Sequence, residues 1–199
     1  MSWIPMLDNE QFTFSTEDLP ALIHAEKGTG AGRFSLALLI QLFFQGEPLL
    51  IVSSGTDVKD AFIEQTHAED KLGTITSLED IKEQSYKQVL FILNEQQDLL
   101  PEVIRSLEDF SERVVLLTKF EGFSKESLAL FYGHPKTIYT VDLNTSEAKE
   151  PLLQLKYMTK IFFSPLYNDF RLNLPPLEQY HGYYQGRTAT GTVSLLESE

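Results

Sequence analysis

The sequence predicts an α/β fold, with a mainly parallel sheet flanked by helices and an antiparallel β extension at the C-terminal end. Three observations support this prediction. Short apolar runs without polar alternation recur along the chain up to residue 141, as in strands that are covered on both faces. Stretches of helical length separate these runs, which is typical of parallel strands joined by crossover helices. After residue 150, glycines divide runs of strand-forming residues, and this pattern predicts a terminal hairpin.

The predicted core strands share a short run of apolar or β-branched residues. In chain order they span residues 21–25, 49–52, 73–75, 89–93, 114–117 and 137–141. The segments between them that have the length and composition of helices span residues 33–45, 57–67, 99–110 and 125–132. The first helix is apolar nearly all round and should be buried, and Gly46 stands where its C-terminal cap would fall. Ser77, with Asp80 three positions on, is predicted to cap a further short helix.

The two ends of the chain lack this regular order. Residues 1–20 are predicted to form an irregular arm that packs across the domain. Residues 153–163 alternate weakly and predict a strand, residues 165–176 predict a loop, and residues 180–196 predict the terminal hairpin. We therefore predict a single domain over residues 1–199, made of the arm at 1–20, a core at 21–143 and a β-rich extension at 150–199.

Composition excludes several classes of function. Lys and Arg total 16 against 29 Asp and Glu, a net charge of −13, which argues against charge-driven DNA binding by this chain alone. The chain has no cysteine, so thiolate catalysis, disulfides and Cys-ligated metals are excluded. No signal peptide is recognisable, and the longest apolar-rich stretch, residues 34–44, is too short to cross a membrane. We therefore expect a cytoplasmic protein with no membrane contact, and the nucleus is the alternative compartment.

A glycine-rich loop joins the first core strand to the first helix. A strand–loop–helix unit of this kind directs backbone N–H groups and a helix N-terminus at an anion. Residues 23–53 resemble the opening of a RecA-like, KaiC-type P-loop domain. In that family the loop reads G-x-x-G-x-G-K-[ST], and a Gly-Glu pair precedes the second strand. Gly30 and Gly32 match the loop, and Gly46 with Glu47 matches the pair.

The decisive positions of that motif hold other residue types. Lys27 stands where the first Gly belongs, Arg33 where the phosphate-gripping Lys belongs, and Phe34 where the Mg²⁺-binding hydroxyl belongs. A phenyl ring cannot coordinate a metal ion. Ser35 comes one position late, and that step turns a helical side chain by about 100°.

The second motif of the resemblance is an apolar strand that ends in Asp. Residues 89–93 supply the strand, but Asn94 occupies the position of the acid and is followed by Glu95. No acid follows the second strand before Asp57. These losses predict that the chain does not hydrolyse ATP by the usual route, so we expect no enzyme, no bound metal and no catalytic residue.

Several interpretations of the loop remain open at this point. In the first interpretation, the glycines only permit a tight turn and close helix packing. In the second, the loop keeps a residual nucleotide or phosphate site that uses Arg33. A dinucleotide fingerprint fits poorly because the third Gly is missing. The residues of this vestigial loop are Lys27, Gly28, Gly30, Gly32 and Arg33. We expect no cofactor other than weakly bound nucleotide.

Two segments resemble the RecA-like subunits of the Elongator accessory subcomplex, a hetero-hexameric ring of three paralogous chains. Residues 22–53 contain the degenerate loop and a strand ending in Val-Ser, and residues 187–195 resemble the family's late hairpin, Arg-x-x-x-Gly followed by alternating apolar residues. This chain is shorter than typical members. The resemblance implies an inactive scaffold subunit, paralogous RecA-like partners in a hetero-oligomer, tRNA contact by the assembly, and a part in tRNA wobble-uridine modification. Recombination-type RecA paralogues are the competing family.

Aromatic side chains near the C-terminal end form the other notable cluster. Tyr180, Tyr183 and Tyr184, with Arg187, fit a subunit interface, plain packing over a sheet edge, or base stacking. The histidines have no metal spacing and are His24, His67, His134 and His181. The chain has no G-x-S-x-G sequence, so it lacks the nucleophile of an α/β-hydrolase.

Two rival functions differ in class from the scaffold. One is an atypical ATPase that uses Arg33 on the phosphates and Glu95 on the metal, with a partner chain completing the site. The other is a monomeric sensor that binds nucleotide without hydrolysing it.

Overall fold

A computed structural model of the chain describes residues 2–25, 28–53, 56–118, 124–131, 133–142, 159–163 and 180–198. Over these residues eleven strands form one sheet. In chain order the strands are β1 (Ser2–Leu7), β2 (Glu10–Gln11), β3 (Ala21–Ala25), β4 (Leu49–Ser53), β5 (Leu72–Ile75), β6 (Val89–Leu93), β7 (Val114–Thr118), β8 (Thr137–Asp142), β9 (Thr159–Phe163), β10 (Gly182–Gln185) and β11 (Thr190–Ser198). The α-helices in the same ranges are α1 (Ala31–Phe44), α2 (Thr56–Thr66), α3 (Asp80–Gln84), α4 (Leu100–Ser106) and α5 (Lys125–Phe131).

The strand order across the sheet is β2-β1-β11-β10-β9-β3-β8-β7-β4-β6-β5. Every pair from β9 to β5 is parallel, whereas β10, β11, β1 and β2 pair antiparallel. The parallel strands β3, β4, β6 and β7 are almost wholly buried, which explains their unbroken apolar sequences. The predicted fold class is confirmed: a mainly parallel α/β sheet with an antiparallel extension.

The N-terminal segment departs from the prediction of an irregular arm. Residues 2–7 form β1, which pairs along its full length with β11, from Ser2 opposite Ser198 to Leu7 opposite Val193. The sequence concealed this strand because Pro5 interrupts it. Proline is tolerated there because β1 is near the edge of the sheet, where the Pro5 carbonyl accepts a hydrogen bond from the Phe12 N–H at 2.8 Å.

Helix α1 crosses one face of the sheet, and most of its residues are buried, as predicted. Its C-terminal end closes as expected at Gly46, which has φ +89°. The Gly46 N–H donates to the Phe43 carbonyl and the Glu47 N–H to the Leu42 carbonyl, both at 3.0 Å. This is the Schellman arrangement, and it satisfies carbonyls that the helix itself leaves unpaired.

Apolar cores lie on both faces of the sheet. The core beneath α1 contains Leu38, Leu39 and Ile51, and the opposite core contains Leu50, Leu90 and Val103. Alternate residues of β4 therefore face opposite cores. None of the helices in the described ranges is long and apolar enough to cross a bilayer.

Other local predictions need correction. The segment predicted as a helix over 99–110 is a 3-10 helix at Asn94–Leu99 followed by α4, which ends at Ser106. Ser77 does not cap α3; instead the Asp80 carboxylate accepts the N–H groups of Thr76 and Ser77 at 2.7 and 2.9 Å. Residues 153–158 and the loop predicted at 165–176 lie outside the described residues.

Arg113 is buried at the start of β7, with 1% of its surface exposed. Its guanidinium lies 2.9 Å from the Asp109 carboxylate and donates to the Ser85 carbonyl at 3.0 Å. It also donates to the carbonyls of Leu49, Lys87 and Gln88 at 3.3 Å. One side chain therefore joins β4, β7 and the segment that leads into β6.

Candidate functional site at the glycine loop

The glycine loop lies between β3 and α1, as predicted. Gly28 and Gly30 have φ of +84° and +88°, and Gly30 is the residue that precedes the helix. The first N–H to bond inside the helix is that of Phe34, which donates to the Gly30 carbonyl at 3.1 Å. The N–H groups of residues 31–33 have no acceptor within the helix, so the loop keeps the backbone geometry of an anion cradle. Lys27 lies outside the described residues.

Arg33 is held by the antiparallel part of the sheet. Its Nη1 lies 2.7 Å from Glu197 Oε1, and its guanidinium carbon is 5.8 Å from the centre of the Trp3 ring. Trp3 and Glu197 are direct neighbours across the β1–β11 pair, so the two strands position both partners. The cation at the position of the phosphate-gripping lysine therefore has a carboxylate partner within the protein.

Phe34 occupies a buried position beneath the loop. Its side chain is 1% exposed, and its ring centre lies 5.1 Å from that of Phe163 on β9. The hydroxyl of Ser35 donates to the Gly32 carbonyl at 2.9 Å and is also buried. The first turn of α1 therefore presents no hydroxyl at the loop, as the sequence predicted.

The ring of Tyr180 lies against the loop at Gly30. A Cβ built on Gly30 would be 3.2 Å from Cδ1 of the Tyr180 ring, so only glycine fits comfortably beneath it. Tyr180 itself has φ +63°, an uncommon conformation for a large side chain, and it is 58% exposed. Loop and ring therefore constrain each other.

A cavity of about 640 Å³ opens beside these residues. Its lining is glycine backbone, aromatic and aliphatic side chains and one ion pair: Gly28, Gly30, Gly32, Arg33, Phe34, Phe163, Tyr180, Leu195 and Glu197. Its size is in the range of small-molecule sites. The predicted loop residues that the structure describes are thus brought together at one cavity.

Asn94 and Glu95 do not belong to this site. They follow β6, which is four strand spacings from β3 in the sheet, or about 19 Å. The strand that precedes Asn94 and Glu95 is therefore not next to β3 in the sheet. The sequence shows the order of strands along the chain, but β8 and β9, which come later, are the strands that flank β3.

An acidic residue that the sequence predictions did not single out ends a strand beside β3. Asp142 ends β8 and lies opposite Ala25, the last residue of β3. We predicted the end of this strand at residue 141, one position too early. The signal was present in the sequence as an acid directly after a run of β-branched and aromatic residues.

The C-terminal aromatic cluster is divided by the structure. Tyr184 is buried, its hydroxyl donates to the Asp18 carboxylate at 3.2 Å, and burial raises the pKa of its phenol above the ordinary value. Arg187 donates to the Leu19 carbonyl at 3.2 Å. Tyr184 therefore packs within the protein and Arg187 is exposed, whereas Tyr180 lines the cavity and Tyr183 is half-buried.

The histidines do not converge on the loop. His24 is buried and stacks on Phe162 at 5.0 Å between ring centres. His134 lies with Nε2 3.2 Å from the Phe110 carbonyl, and burial lowers the pKa of its imidazole. Within the described ranges, no three His, Asp or Glu residues are grouped to hold a metal ion.

A magnesium–triphosphate complex does not fit the loop side chains that the structure describes, residues 28–34. Such a complex needs a free cation for its phosphates and an oxygen ligand at the first helical turn. Here Arg33 is paired with Glu197, the ring of Phe34 is buried at the position of the oxygen ligand, and Tyr180 covers Gly30.

Comparison with known proteins identifies related structures. No family model and no curated protein matches the chain. Three solved structures of the genome packaging NTPase B204 from Sulfolobus turreted icosahedral virus 2 are similar to it. The complex with ATP-gammaS has a TM-score of 0.53 at 12% identity and covers 92% of this chain and 98% of the other. The complexes with AMPPCP and AMP have TM-scores of 0.56 at 13% and 12% identity, and each covers 94% of this chain and 100% of the other. At this identity the likeness concerns the fold alone, and the chain therefore shares the fold of this NTPase.

Proposed function

We propose that this chain is a catalytically inactive subunit with a P-loop NTPase fold, and that it acts by assembling with other chains of the same fold. The observation that carries the proposal is the Arg33–Glu197 pair at 2.7 Å, with the guanidinium over Trp3. The residue at the position of the phosphate-gripping lysine instead connects α1 to β1 and β11. In this proposal, a position that is catalytic in active members of the fold serves here as a structural contact.

The surroundings of the loop support the same conclusion. The metal-binding hydroxyl is replaced by the buried Phe34, and the next hydroxyl, on Ser35, is bonded to Gly32. Retention of the glycine loop without a metal-binding hydroxyl is what we expect of a fold kept for assembly.

Exposed apolar side chains supply contact area for partners. Phe44, Tyr86 and Leu196 are 67%, 75% and 49% exposed. Large aromatic residues of this kind are common anchors of protein interfaces. The specific assembly we propose is a hetero-oligomeric ring of paralogous RecA-like chains, of the kind found in the Elongator accessory subcomplex, with a role in tRNA modification. The resemblance of residues 22–53 and 187–195 supports this choice of ring.

Native mass spectrometry of the protein isolated from its own cells at low salt tests the proposal. We expect a ring-sized assembly that contains other chains with a P-loop fold. We also expect that any ATP turnover in the preparation is the same in an Arg33→Ala variant as in the unmodified chain. A lone chain at high concentration, or turnover that depends on Arg33, would overturn the proposal.

An atypical NTPase is the second candidate, and the register of Asp142 beside Ala25 favours it. Glu95, the acid suggested by the sequence for this role, follows β6, a strand about 19 Å from β3 across the sheet. If this candidate were correct, turnover would be lost in Asp142→Asn and retained in Glu95→Gln. The two variants remove the same charge at positions that differ in distance from the loop.

A further inference from the structure

The cavity beside the glycine loop has walls suited to a ring rather than to phosphates. Its floor is formed by the buried rings of Phe34 and Phe163, which are tilted at 53° to each other. Its exposed wall is Tyr180, and Leu195 on β11 adds an aliphatic surface. Apolar walls with a few polar groups are typical of small-molecule sites.

We propose that this cavity binds the planar heteroaromatic ring of an uncharged molecule, a nucleobase or nucleoside, and that it does not require a triphosphate or Mg²⁺. The inference rests on the proposed function in one respect, namely that the loop is not a catalytic site. It goes further by assigning the cavity a ligand class.

The position of Tyr180 is the first argument. The residue holds φ +63° while its ring contacts the loop at Gly30 and remains 58% exposed. Such a conformation is costly for a large side chain, and strained residues of this kind cluster at ligand sites. An exposed tyrosine ring that forms one wall of a cavity offers a face on which a flat ring can stack, and stacking of this kind does not depend on the identity of the base.

The ion pair at the rim is the second argument. Arg33 is a donor with no acceptor atoms, and Glu197 is an acceptor. Their side chains are 64% and 42% exposed, so both retain free surface beside the cavity. A nucleobase edge carries donors and acceptors next to each other, and this pair presents the complementary groups side by side.

Charge is the third argument and selects against polyphosphate. The Glu197 carboxylate lies 2.7 Å from Arg33 and would face any phosphate that approached the guanidinium. The whole chain carries a net charge of −13, which adds to the repulsion of a multiply charged anion. An uncharged ring avoids both costs.

Trp3 provides a reporter for the test. It is the one tryptophan in the sequence, and its ring lies 5.8 Å from the guanidinium of Arg33 at the rim of the cavity. Adenosine and guanosine are titrated into the full chain while tryptophan fluorescence is recorded, and calorimetry measures the same affinities independently. We expect saturable binding of at least one nucleoside, and we expect Mg·ATP to bind no more tightly than that nucleoside.

Two tyrosine variants separate stacking from a general effect on the fold. Tyr180→Ala removes the exposed wall and should weaken nucleoside binding by about five- to a hundredfold, as expected for the loss of one stacked ring. Tyr183→Ala is the matched control, because Tyr183 is near in sequence but does not line the cavity. Its affinity should equal that of the unmodified chain.

Three outcomes would overturn the inference: no binding of either nucleoside, equal loss in both tyrosine variants, or Mg·ATP that binds ten times more tightly than the nucleosides. The proposed assembly function is judged separately, because native mass spectrometry and turnover do not depend on nucleoside affinity. Failure to bind nucleoside while the ring assembly is intact would reject this inference alone.

Discussion

Two arginines of this protein make ion pairs in very different surroundings. Arg113 is 1% exposed and donates to several backbone carbonyls, whereas Arg105 pairs with Glu126 at 3.3 Å with both side chains well exposed. When a buried donor is removed, its acceptors lose their hydrogen bonds and water cannot reach them. When one partner of an exposed pair is removed, water solvates the other. Removal of Arg113 should therefore lower the free energy of unfolding far more than removal of Arg105.

Arg113→Met should lower the free energy of unfolding by about 3–5 kcal/mol, since it leaves buried carbonyls and Asp109 without their donor. Arg105→Met should change it by less than about 1 kcal/mol. Urea unfolding of both variants and the unmodified chain measures the difference. Similar values for the two variants would mean that the buried arginine contributes no more than an exposed one.

His134 predicts a pH dependence of stability. Burial is the main reason that its pKa in the folded chain lies below the ordinary value of 6.5. The unfolded chain therefore binds a proton more readily than the folded chain, and stability contributed by this residue is lost as the pH falls below 6.5. Urea unfolding at pH 7.5 and 5.5 should show a smaller loss in His134→Asn than in the unmodified chain. An identical loss in both would remove His134 as the cause.

At the level of elements, the glycines at the two ends of α1 differ in their backbone conformation. Gly46 has φ +89° beyond the end of the helix, whereas Gly32 lies in the first turn, where an added Cβ would meet nothing within 4 Å. Alanine at a left-handed position is strained, but alanine inside a helix is favoured over glycine.

Gly46→Ala should therefore lower the free energy of unfolding by about 1–2 kcal/mol. Gly32→Ala should leave it unchanged or raise it by up to about 1 kcal/mol. Thermal unfolding followed by circular dichroism compares the two, and a stable Gly46→Ala protein would show that the helix end tolerates another conformation.

The elements differ in how much of them the sequence can predict. β3 and β6 were predicted with correct bounds because a strand covered on both faces must be apolar throughout. β1 was missed because its partner, β11, is remote in sequence and Pro5 breaks the pattern. The order of the strands across the sheet was not predicted, since pairing between strands depends on crossovers that local sequence does not encode.

The site shows the same division between local and long-range information. The glycine loop and the replacements at Arg33 and Phe34 are local features, and they were predictable from the sequence. The residues that contact these positions are distant in sequence: Glu197 pairs with Arg33, Phe163 packs on Phe34, and Tyr180 covers Gly30. No spacing rule connects residues so far apart along the chain.

At the level of the whole molecule, the net charge of −13 governs encounters with other macromolecules. We expect the chain alone to show no binding of double-stranded DNA at physiological salt, because nonspecific affinity depends on cations that displace the counterions of phosphate. Fluorescence anisotropy of a labelled duplex, with salt reduced in steps, measures this directly. Tight binding that weakens steeply with salt would reveal a local basic surface that overrides the net charge.

The pairing of β1 with β11 has a consequence for how the protein is made. Ser2 and Ser198 are 196 positions apart, and their hydroxyls are hydrogen-bonded. During synthesis, β1 emerges before β11 and has no partner until the intervening core strands have been made. Contacts between such distant segments are slow to form. The wall that holds Arg33 is therefore among the last parts to be completed, and a nascent chain that ends before Thr190 leaves the cavity open along this side.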